Sequence, residues 1–124
     1  MQVILISSLI LIILDSIYLH VFGNYFKKQV KAVQGSDLKL NFTGAVACYV
    51  FIIFGLNYFI LKNKKSVNDA FLLGMVIYAV FELTNLALFK NWFMLSVVID
   101  TLWGGILFAL TTAIVYKLQQ IKLF

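Results

Sequence analysis

The chain has 124 residues, of which 63% are hydrophobic and 12% charged, and it contains no proline. Soluble domains carry about 25% charged residues, so this chain has too little charge to cover a globule in water. That excludes a large water-soluble catalytic domain, a second domain or a disordered tail. Four apolar spans of about 20 residues would use about 80 positions, close to the whole apolar content. The composition therefore predicts an all-α integral membrane chain: one transmembrane domain over residues 1–124, folded as an up-and-down bundle of four transmembrane helices. The net charge of +5 comes from ten lysines against five acids. Those lysines gather between the apolar runs, as anchors to lipid headgroups do, so the lipid bilayer is the expected partner and nucleic acid is not. A single cysteine, Cys48, excludes an internal disulfide and a multi-cysteine metal site. Lying in an apolar run, it is expected to be a small buried hydrophobe.

The first helix is predicted over about residues 3–26, closed by Tyr25 and Phe26 before Lys27 and Lys28. It lacks the basic start and small-residue cleavage site of a signal peptide and is too long for one, so it is expected to be retained. Residues 27–41 are the longest polar stretch, with a turn at Gly35 and Ser36, and with Val30 and Val33 placed to rest on the membrane surface. The second helix, about 42–61, ends at Lys62, Asn63, Lys64 and Lys65. Ser66 and Asp69 then have capping-box spacing at the start of the third, about 67–89. Only Lys90 and Asn91 precede the fourth, about 92–116. Short connections put both termini on one side of the membrane. Each side then carries five lysines, so the positive-inside rule assigns no orientation. Tyr25, Phe26, Trp92, Phe93 and Tyr116 read as interfacial belts.

Asp37 and Asp69 belong to loops, whereas Asp15, Glu82 and Asp100 lie inside apolar runs. A carboxylate at mid-bilayer costs about 2.5–3.5 kcal/mol even on insertion scales. Glu82 and Asp100 each lie nine residues from Asn91, about 13 Å from that turn at 1.5 Å per residue, and Asp15 is about 15 Å from the same surface. The three acids thus form one layer near the membrane centre, and no lysine shares it. Desolvation and mutual repulsion both favour the protonated form there, so either an acid holds its proton or a bound cation neutralises the group.

Tyr18 lies three residues after Asp15, and Tyr78, Glu82 and Asn85 share one helical face. Asp100, Trp103, Gly104, Leu107 and Thr111 make a stripe on the fourth helix beside a small-residue stripe of Gly105, Ala109 and Ala113, over which another helix can approach closely. Tyr18, Tyr78, Thr84, Asn85, Thr101 and Trp103 are the candidate hydrogen-bonding partners of the acids. Intramembrane ionisable residues mark proton or ion pathways, while protonated acids can equally serve as interhelical glue. His20, nearer the surface, is a weaker candidate for a proton relay. No metal-binding, phosphate-binding or nucleophilic motif is present, so no catalytic residue, metal ligand or cofactor site is assigned.

Gly74–Trp92, GMVIYAVFELTNLALFKNW, followed by Val97–Gly105, VVIDTLWGG, resembles a family of small bacterial and viral membrane proteins, domain of unknown function 2177. Its pattern is matched by Tyr78, Glu82, Leu83, Thr84, Asn85, Ala87, Trp92, Asp100, Trp103 and Gly104. Leu14-Asp15 with Tyr18-Leu19, and Tyr49, Gly55 and Phe59, are similar to its first and second helices. Two departures stand out: glutamate at position 82 where the family usually has aspartate, and no proline after the second helix. The resemblance implies a four-helix membrane protein with the acid layer as its signature, and it brings no activity.

The expected function is a small transporter or channel for protons, cations or a small cationic solute. Its membrane-centre site would comprise Asp15, Glu82, Asn85 and Asp100, assisted by Tyr18, Tyr78, Thr84 and Trp103. Gly104, Gly105, Ala109 and Ala113 would supply helix packing. So small a bundle leaves little room for a solute path, which points to a homo-oligomer. The alternatives are a structural or accessory membrane subunit held together by protonated acids, and, third, a membrane-embedded lipid-modifying enzyme.

Overall fold

A computed structural model describes the whole chain, Met1–Phe124. It contains four helices and no strand: α1 (Gln2–Gln34), α2 (Phe42–Leu56, prolonged by a π-helical turn over Asn57–Leu61), α3 (Val67–Leu88) and α4 (Met94–Gln120). All four are long and apolar enough to cross a membrane, counting α2 with its π turn. Large apolar side chains are exposed along every helix, as a chain with lipid for solvent requires. Such a solvent leaves helix association to close packing and internal hydrogen bonds.

Local chemistry sets the helix ends. Asn41 precedes α2 and its Oδ1 accepts from Gly44 N at 3.0 Å. Ser66 Oγ accepts from Asp69 N at 3.0 Å, the serine half of the expected capping box. α1 runs eight residues beyond the expected end at Phe26, because Lys27–Gln34 is rich in good helix formers and contains nothing that breaks a helix before Gly35. There φ is +77°, and the amide returns to Lys31 O, a left-handed cap that suits glycine. At 1.5 Å per residue α1 is about 50 Å long, so its lysine-bearing end extends past a hydrocarbon core about 30 Å thick. α4 begins at Met94, which leaves Trp92 and Phe93 in the turn.

The α3–α4 pair makes the most extensive helix contact, α4 also packs on α1, and α1 on α2. Glycines set the closest approach. A Cβ on Gly105 would lie 2.7 Å from Phe71 Cε2, one on Gly74 would overlap the Gly104 carbonyl, and one on Gly104 would enter the Tyr78 ring. The small-residue stripe expected on α4 thus acts through Gly104 and Gly105, while Ala109 and Ala113 are only half-buried beyond the tight contact. Leu11, Leu56, Leu107, Phe108 and Val115 form the centre of a core to which all four helices contribute. Cys48 is exposed on the outer face of α2 rather than buried, since the buried face of that helix follows Ile52, Gly55 and Leu56.

Two polar ties fasten α1 near its ends. Asn57 Nδ2 donates to Ser7 Oγ at 3.1 Å and to Ile53 O at 2.9 Å, where the π turn begins. At the other end Gln29, 1% exposed, accepts from Phe93 N at 2.9 Å and from Ser96 Oγ at 2.8 Å. α4 has no N-cap side chain of its own, so Gln29 caps it from another helix.

Gly104→Ala and Gly105→Ala should each destabilise the protein by about 1–3 kcal/mol through overpacking. Gly55→Ala, where an added Cβ meets nothing within 4 Å, should stabilise by about 0.5–1 kcal/mol. Reversible denaturation in mixed micelles measures all three.

Candidate functional site: an aromatic-bonded acid layer

Asp15 and Tyr18 lie one turn apart on α1 and both face inward, continuing a buried stripe that begins with Ser7 and Leu11 and ends at Gln29. Glu82 is on the buried side of α3. Asp100 and Trp103 are one turn apart on α4, at the height where α4 meets α1 and α3. Glu82 is 2% exposed and Asp15 7%, so both depend on donors from the protein.

Each acid is met by an aromatic donor. Trp103 Nε1 donates to Asp15 Oδ1 at 2.9 Å, and the Tyr49 hydroxyl of α2 donates to Asp15 Oδ2. The Tyr18 hydroxyl donates to Asp100 Oδ1 at 3.1 Å. Trp92 Nε1 donates to Glu82 Oε1 at 2.9 Å. The Tyr18 and Trp103 rings stack, with centroids 4.5 Å apart and planes 2° from parallel. The carboxyls of Glu82 and Asp100 lie within hydrogen-bonding reach of one another. The Trp92–Glu82 and Tyr18–Asp100 bonds thus lie beside one another, with Asp15 bound by Trp103 and Tyr49. All these donors are neutral. The single salt bridge of the protein joins Lys31 to Asp37 at 3.6 Å on the surface. No cluster of three or more His, Cys, Asp or Glu side chains is arranged to hold a metal ion.

The structure brings together Asp15, Glu82 and Asp100 with Tyr18 and Trp103. Other expected members stand apart. Thr84 is exposed, since two residues from Glu82 is more than half a helical turn. Asn85 is half-buried and bonds to no acid through its side chain. Tyr78 packs its ring on Gly104 and makes no hydrogen bond to a carboxyl. Thr101 Oγ1 is buried without a partner. His20 is exposed.

Tyr49 and Trp92 supply donors that acid spacing alone does not find. Tyr49 carries no register relation to an acid on its own helix. Trp92 reads as an interfacial residue by position, yet the turn before Met94 lets its indole fold back onto Glu82. Gln29 did have a legible signal, because it continues the spacing of Ser7, Leu11, Asp15 and Tyr18.

Trp103→Phe should destabilise by about 1–3 kcal/mol, because it leaves a buried carboxyl oxygen without its donor. A double-mutant cycle with Asp15→Asn, measured by denaturation in mixed micelles, should return a coupling of about 0.6–1.7 kcal/mol.

No curated protein and no solved structure matches the chain. One family model does, described as a predicted membrane protein, and it is matched by residues 1–117. That span takes in all four helices except the last turn of α4, and every acid and aromatic donor of the layer. The chain is a member of this membrane-protein family, domain of unknown function 2177.

Proposed function

We propose that this protein is a small membrane transporter or channel in which the Glu82–Asp100 pair binds and releases a proton, a cation or small cationic solute taking its place. The observation that carries the reading is the carboxyl–carboxyl contact between two apolar helices. Such a contact is attractive only while one partner holds a proton, so the pair is a natural place to take one up. The neutral aromatic donors support this role, because an indole N–H or phenol O–H can bond a carboxyl oxygen in either protonation state. The ligand geometry favours the proton over a metal ion, since the carboxyls turn to aromatic donors rather than to a common centre. An apolar cleft of about 410 Å³ between α1 and α4, bordered by Tyr18 and Trp103, offers an approach to the aromatic pair from outside the bundle. Both termini would lie on one side of the membrane: Val3 and Gln119 border the same cleft, and the Tyr116 hydroxyl donates to Lys65 O at 2.6 Å.

The second reading, a structural subunit held by interhelical glue, draws on the same hydrogen bonds, each acid being met by a donor from another segment. Glutamine and asparagine separate the two, because an amide keeps a hydrogen bond and cannot carry a proton. In sealed vesicles, wild-type protein should dissipate an imposed proton gradient. Glu82→Gln and Asp100→Asn, folded with near-normal thermal stability, should fall to the leak of protein-free vesicles. Equal proton movement in all three, or none in the wild type under any gradient or voltage, would leave the structural reading in its place.

A further inference from the structure

On the side of the acid layer toward the α2–α3 turn, α1 and the end of α2 border a cleft of about 730 Å³, within the range of small-molecule sites. Ile4, Val50 and Phe54 give it apolar walls, and Ser8 and Asn57 add polar groups. Lys62 and Lys64 stand at its border, just beyond the π-helical turn.

We infer that this cleft is a binding site for an anionic glycerophospholipid, an acyl chain lying between α1 and α2 and the phosphate held by Lys62 and Lys64. The inference goes beyond the acid layer and does not depend on it. Three observations point to this occupant. First, neither lysine has a carboxylate partner, because the only salt bridge lies elsewhere, so two ammonium groups border an apolar cleft uncompensated. Second, Lys62 is positioned by the chain, its Nζ 4.9 Å from the Tyr58 ring centroid, and Lys64 sits beside it in the left-handed turn that ends α2, where Lys65 N returns to Ile60 O at 2.9 Å. Third, a lipid phosphate complements the two lysines in charge and lies at the depth where apolar wall gives way to charge.

The test uses the full-length chain in vesicles of mixed phosphatidylcholine and phosphatidylglycerol, extracted in mild detergent, with co-extracted lipid measured by mass spectrometry. Phosphatidylglycerol should be enriched over its share of the bilayer by up to about fivefold per lysine. Lys62→Gln with Lys64→Gln should return retained lipid to the bilayer's composition. Lys64→Gly should lower the enrichment while keeping or raising thermal stability, because glycine accepts the left-handed backbone, so that loss cannot be assigned to misfolding. Ser8→Trp, which fills the cleft, should lower retention of both lipids. Retention in bilayer proportion by the wild type would overturn the inference, as would enrichment that survives in the double variant. A lipid-free dimer sealed across the cleft would also overturn it.

Discussion

A carboxyl group inside a membrane protein must find its hydrogen-bond donors within the protein, and here those donors are aromatic. Lysine or arginine could have served only by bringing a second charge into the same apolar surroundings, where desolvation can exceed the Coulombic gain. Tyrosine and tryptophan place one N–H or O–H at the end of a large apolar body, so the same side chain fills the core and satisfies the acid. This constraint ties the bundle together. Asp15 is bonded from α2 and α4, Asp100 from α1, and Glu82 from the turn that leads into α4.

The glycines follow from the same requirement. Tyr18 and Trp103 stack between α1 and α4, filling part of that contact with two rings. On its other side α4 can approach α3 closely because Gly74, Gly104 and Gly105 present no side chain there. Glu82 and Asp100 come within reach of one another only because of this close approach, and Tyr78 fills the space above Gly104 without contributing a donor. Bulky donors on one face of α4 and bare backbone on the other thus belong to one packing solution.

The existence and approximate limits of the four helices are legible in the residues, since apolar runs of about 20 residues broken by lysine clusters admit few other readings. The acid layer is legible too, because equal counts from Asn91 to Glu82 and to Asp100 fix equal depth on two antiparallel helices. What the chain conceals is rotation about each helix axis and the path of the turns. Thr84 and Asn85 are close to Glu82 in sequence, but only the neighbouring helices decide which way each points. Trp92 has the composition of an interfacial belt, and its inward course depends on α4 beginning two residues later than the apolar run suggests. The lysines at 27, 28 and 31 look like a loop because charge ends an apolar run, although charge does not end a helix. Gly35 ends it.

Packing density also bears on where the bundle could move. The α3–α4 seam is backbone against backbone or ring and has little freedom to slide, since interiors packed this closely resist small displacements. The α1–α2 contact is slighter, and at the height of the acids it includes a single hydrogen bond, from Tyr49 to Asp15. If the Glu82–Asp100 pair loses its proton, repulsion arises across the seam least able to open. The strain would then pass to Tyr18 and the α1 side, where Asp100 has its other partner and packing is looser. Under the proposed reading, α3 and α4 therefore form the fixed half of the site, and α1 with α2 the half that responds to the proton.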